Sequence, residues 1–121
     1  MGTHFSRTVA EGLAFMNVID GRQVEAVSGK RIDVISPSDG KVFASIPASG
    51  AEDVDRAVRS ARKAFDEGPW SRTPAVERGR CLTRLFHLVE KNGDELAALE
   101  SRDTGKPVRQ GRADVTATMR Y

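Results

Sequence analysis

Val42-Phe43-Ala44-Ser45-Ile46-Pro47-Ala48-Ser49-Gly50-Ala51-Glu52-Asp53-Val54-Asp55-Arg56-Ala57-Val58 is the stretch in which the apolar period changes. Up to Ile46 the side chains alternate. Val42, Ala44 and Ile46 share one face, and Phe43 and Ser45 share the other, the period of two that predicts a strand. Pro47 cannot donate to a sheet ladder and ends the β region. From Val54 onward the apolar positions are Val54, Ala57, Val58, Ala61 and Phe65. Their spacing is that of one helical stripe. Between the two, Ser49-Gly50-Ala51-Glu52 has the spacing of a capping box, in which Ser49 accepts from first-turn N–H groups and Glu52 reaches back. The chain therefore reads as α/β, with strands in its first half and helices in its second.

Working toward the N-terminus, Asn17-Val18-Ile19, Asp20-Gly21 and Arg22-Gln23-Val24 read as strand, turn, strand. Asp-Gly suits a type I′ turn, which needs positive φ at both central residues. Ser28-Gly29 breaks the chain, and Arg31–Ile35 resumes as β with Ile32 and Val34 on one face. Ser36-Pro37-Ser38-Asp39-Gly40 is a dense turn cluster leading into the strand from Val42. These strands predict an antiparallel meander. Residues 1–16 lack clear periodicity and predict a flexible N-terminal arm, leaving residues 17–121 as the folded body.

Toward the C-terminus, Gly68-Pro69 closes the first helix. Thr73 caps the second, with Pro74 at its first position. The second stripe is Cys81, Leu82, Leu85, Leu88 and Val89, with Phe86 alongside. Trp70, in the connection, reads as a packing anchor. Asn92-Gly93 interrupts, Asp94 restarts a helix through Leu96 and Leu99, and Thr104-Gly105 ends it. Pro107 opens a fourth helix, with Val108, Val115 and Met119 at helical spacing. It carries no stop signal before Tyr121, as expected of the front piece of a longer chain.

Composition narrows the function. The 121 residues fit one small domain or part of a larger one, and aromatics at 6% are thin for a self-sufficient core. Nineteen basic and 17 acidic side chains are interspersed, whereas a nucleic-acid partner would call for a clustered basic face. Cys81 is the only cysteine, so neither an internal disulfide nor a cysteine-rich zinc site can form; this suits a reducing cytoplasm. No run approaches the roughly 20 apolar residues of a membrane span, and no secretory signal opens the chain, so no membrane partner is expected. Met1-Gly2-Thr3-His4-Phe5-Ser6 fits the loose myristoylation pattern and is read as an unstructured leader.

Residue chemistry gives no catalytic constellation. His87 lies six positions beyond Cys81, about 240° around a helix, so the two point apart. Cys81 is read as a small buried hydrophobe and His87 as a helix-flank residue. His4 falls in the arm. Gly105-Lys106 lacks the earlier glycine and the following Ser or Thr of a P-loop, since Glu100 and Pro107 stand there. Glu100 and Asp103 are a carboxylate pair at i, i+3, read as a solvated helix end. A helix-turn-helix fails on the long connection from Gly68 to Thr73 and the absence of a basic reading face. No catalytic, cofactor-binding or metal-ligating residue is assigned.

The string Ser36-Pro37-Ser38-Asp39-Gly40-Lys41-Val42 resembles the Asn-Pro-x-x-Gly turn near the front of aldehyde dehydrogenases, with Ser36 in the Asn position. Ala51–Val58 with Ala61-Arg62 and Ala64-Phe65 is similar to that family's first long helix. Trp70, Glu77-Arg78, Leu82 and Asp94-Glu95-Leu96-Ala97 resemble its second. Leu99-Glu100-Ser101-Arg102-Asp103-Thr104-Gly105-Lys106-Pro107 matches the family's Leu-Glu-x-x-Asp-Thr-Gly-Lys-Pro segment, and Arg120-Tyr121 falls at its Arg-Tyr pair.

The resemblance implies an enzyme that oxidises an aldehyde to a carboxylic acid with NAD or NADP, by way of a cysteine thiolate and a glutamate that activates water. It also implies a Rossmann-like cofactor domain and a homo-oligomer. This segment would be an incomplete, N-terminal part of that domain. The family's catalytic and main cofactor-binding positions lie beyond Tyr121, so the 121 residues are expected to be inactive alone and to bind no cofactor. Some members bind a monovalent cation near the positions of Asp103 and Val34. The stripes Val54–Phe65 and Cys81–Val89 would pack against sheet outside this segment, so the isolated chain is expected to be poorly stable or to aggregate. The alternative is a non-enzymatic interaction module or subunit-binding remnant.

Overall fold

The structure is a computed structural model that describes residues 12–120. The period switch falls where the alternation ends. Val42–Pro47 is a strand and Ala51–Glu67 a helix. In chain order the elements are β1 (Leu13–Ala14), β2 (Asn17–Ile19), β3 (Arg22–Val24), β4 (Arg31–Ile35), β5 (Val42–Pro47), α1 (Ala51–Glu67), a 3₁₀ turn (Trp70–Arg72), α2 (Ala75–Lys91), α3 (Gly93–Thr104) and α4 (Val108–Thr118).

The Asp-Gly hairpin is present, with Asp20 at φ 54° and Gly21 at φ 69°. β2 and β3 pair antiparallel as their own two-stranded sheet. β4 and β5 pair antiparallel in a second sheet of order β1-β5-β4. The strands therefore divide between two sheets, and Gly29 at φ 63° sits in the break between them.

Within the stretch 1–16 expected as an arm, residues 13–15 are tied to the sheet. Leu13 and Ala14 pair parallel with Ala44 and Ser45 of β5. Phe15 N–H extends the pairing by donating to the Ser45 carbonyl at 3.0 Å. Arg31 fixes this seam. Its guanidinium donates to the Phe15 carbonyl, to Ser45 Oγ at 2.9 Å and to the Ser45 carbonyl at 3.0 Å, and it pairs with Glu25. The leader motif and His4 lie outside the described residues.

Three helix ends differ from expectation. The N-cap of α1 is Gly50, one residue past Ser49. Asp53, not Glu52, reaches back, accepting from Gly50 N–H at 2.9 Å. Its other oxygen accepts from Val27 N–H at 2.9 Å, and Ser49 Oγ accepts instead from Asn17 Nδ2 at 2.8 Å. The N-cap of α2 is Pro74, while Thr73 Oγ1 bonds back to the Pro69 carbonyl at 2.8 Å. α4 stops at Thr118, where Arg120 N–H tightens the end by bonding to the Ala117 carbonyl. Tyr121 lies outside the described residues.

Among the described residues the buried apolar side chains are few and mostly small: Ala26, Phe43, Ala44, Pro47, Ala97 and Ala98. α3 and α4 cross closely at Gly111, where a Cβ would stand 2.7 Å from the Ala97 carbonyl oxygen. The two predicted stripes are real but uncovered. Val54, Val58 and Phe65 of α1, and Leu82, Leu85 and Leu88 of α2, are all more than half exposed. Cys81 is exposed, against the expectation of burial, on the face of α2 that the described residues leave uncovered. Trp70 is likewise half exposed and anchors no core.

Candidate functional site

The turn Ser36–Gly40 and the segment Leu99–Pro107 are far apart in sequence and meet in space. Ser36, 1% exposed, closes the turn by accepting from Gly40 N–H at 2.9 Å and donating its own N–H to the Lys41 carbonyl at 2.9 Å. Asp39 accepts from Lys41 N–H at 3.2 Å. That N–H, helped by the Ser36 hydroxyl and by Arg102, holds the Asp39 carboxyl below its ordinary value. Arg102 of α3 lies 3.8 Å from Asp39, and its guanidinium carbon sits 5.2 Å from the centre of the Phe43 ring. Gly105, at φ 77°, ends α3 in the left-handed conformation. A Cβ there would approach Pro37 Cγ to 2.9 Å. The two motifs thus form one clasp that fixes α3 on the sheet.

Beside the clasp an open groove of about 760 Å³ runs between the β4–β5 sheet and α3–α4. Its floor is apolar, with Val34, Phe43, Leu96, Leu99 and Val115. Its rim carries Glu100, Asp103, Lys106 and Asp114. Lys106 leaves the α3–α4 connection and places Nζ 2.7 Å from Glu100 Oε1 and 2.7 Å from Asp114 Oδ2. Those two hydrogen bonds, Asp114 first, raise the Lys106 pKa above its ordinary value. The carboxylate pair noted at Glu100 and Asp103 is therefore divided. Glu100 is tied to Lys106, and Asp103 stays on the exposed rim. Asp103 and Val34 do line the same groove, although the residues are 69 positions apart. Among the described residues no group of three His, Cys, Asp or Glu side chains could hold a metal ion.

The remaining candidates stay separate. Cys81 is exposed on α2, away from the groove's lining. His87, on the same helix, faces Glu90 with Nδ1 at 3.4 Å and meets Phe86 edge-on. The N-terminus of α1 would favour a phosphate, but the Asp53 carboxylate already takes its Gly50 N–H. This internal anion has a lowered pKa, held first by the Gly50 N–H and then by the Val27 N–H. Arg31, Asp53, Arg102 and Lys106 carry the polar architecture, and spacing points to Lys106 alone, in the rejected role of a P-loop lysine. Only Asp53, three residues after a glycine at a helix start, offered a usable signal. No helix among the described residues is long and apolar enough to cross a membrane.

The profile of the aldehyde dehydrogenase family matches residues 24–121. The mitochondrial benzaldehyde dehydrogenase of Antirrhinum majus is 50% identical over 93 residues, which cover 77% of this chain and 17% of that protein. The mitochondrial aldehyde dehydrogenase of Equus caballus is 50% identical over 84 residues, 69% of this chain and 17% of that protein. Among solved structures, an NAD-dependent aldehyde dehydrogenase from Sinorhizobium meliloti superposes with TM-score 0.82 at 36% identity, covering 90% of this chain and 24% of that one. Betaine aldehyde dehydrogenase from Staphylococcus aureus, solved in complex with NAD+, gives TM-score 0.81 at 33% identity, covering 86% of this chain and 21% of that one. The chain spans about a fifth of the length of the relatives it matches.

Proposed function

The chain belongs to the aldehyde dehydrogenase family, and on that premise we propose that it is framework for an oxidoreductase that converts an aldehyde to a carboxylic acid with NAD or NADP. The chemistry belongs to segments beyond those present here. The observation that carries this reading is the pairing of a family match over residues 24–121 with two helices whose apolar faces lie uncovered. Those faces fit a larger α/β body whose sheet would seal them. The polar groups of the groove and the clasp fit the same role, since Lys106 is spent on Glu100 and Asp114, and Arg102 on Asp39 and Phe43. The complete enzyme is proposed to be a homo-oligomer and cytoplasmic. Cell fractionation tests the second point, and recovery in an organelle, as the names of two relatives suggest for those proteins, would refute it.

The direct test is NADH formation from a panel of aldehydes. The pure 121-residue chain should give none above the blank. Co-expression with the remaining segment of a full-length relative should yield a soluble complex that turns over aldehyde. Turnover by the chain alone would overturn the proposal. The uncovered faces also fit the second reading, a module that binds an intact subunit. That reading predicts co-purification with a full-length relative and no restored activity in the complementation experiment.

A further inference from the structure

We draw no further inference here: the strongest candidate, the uncovered apolar face that Leu82, Leu85 and Leu88 give α2, carries nothing because nothing in the structure shows what covers it other than the larger enzyme already proposed.

Discussion

Gly105 lacks a side chain for two separate reasons. Its φ of 77° is unfavourable for other residues, and Pro37 leaves no space for a Cβ. Gly105→Ala should therefore destabilise by about 1–3 kcal/mol, read as a lower denaturant midpoint at unchanged slope. An unchanged midpoint would mean the clasp is not closed. Asp53 gives a pH test. Its carboxyl titrates below its ordinary value of 3.8, so its stabilisation is complete above that pH and is lost as pH falls through the lower, folded value. Asp53→Ala should lower stability near neutrality and flatten the acid limb of a melting-temperature titration. Lys106 has the opposite sign. Its pKa lies above 10.5, so its contribution holds below that pH and disappears as pH rises through the folded value. Lys106→Met should remove that alkaline dependence. Spacing alone could not choose between Ser49–Glu52 and Gly50–Asp53 as the cap. The choice was made by Val27, a distant N–H that only the Asp53 carboxylate satisfies.

At the scale of elements, local signals were enough wherever local chemistry decides. The Asp20-Gly21 turn, the strand ending at Pro47, the helix break at Asn92-Gly93 and the Gly105 stop all follow from one or two residues each. β1 was illegible because two residues carry no period, and its partners lie 31 positions on in β5. The burial of Cys81 was misjudged for a related reason. A stripe shows which face of a helix wants cover, not whether cover is present. A pair of substitutions separates these cases. Leu85→Glu, on the uncovered face of α2, should change the stability of this chain by no more than about 0.5 kcal/mol. It should also reduce binding of a hydrophobic dye. Phe43→Ala, at a residue 2% exposed beneath Arg102, should cost about 3 kcal/mol or more and unfold a marginal domain, seen as loss of a thermal transition. A large loss from Leu85→Glu would show that α2 is already packed.

For the whole molecule, the balance is between a small core and long amphipathic helices. Among the described residues, Phe43, Pro47 and four alanines are the buried apolar side chains, while 17 large hydrophobic side chains are exposed. Native stability is a narrow margin between burial and chain entropy, and this much exposed apolar surface erodes it. The family assignment was legible from the ordered motifs between Ser36 and Pro107. That two of those motifs form one clasp was not, because Arg102–Asp39 and Gly105–Pro37 exist only after folding. The central claim is that α1 and α2 await cover from a larger enzyme, whereas α3 and α4 already pack together. Amide hydrogen exchange on the isolated 121-residue chain, resolved by segment, tests this most directly. α1 and α2 should exchange with little protection while α3 is the slowest helix. Protection of α1 and α2 equal to that of α3 would contradict the account and make the chain a self-sufficient unit.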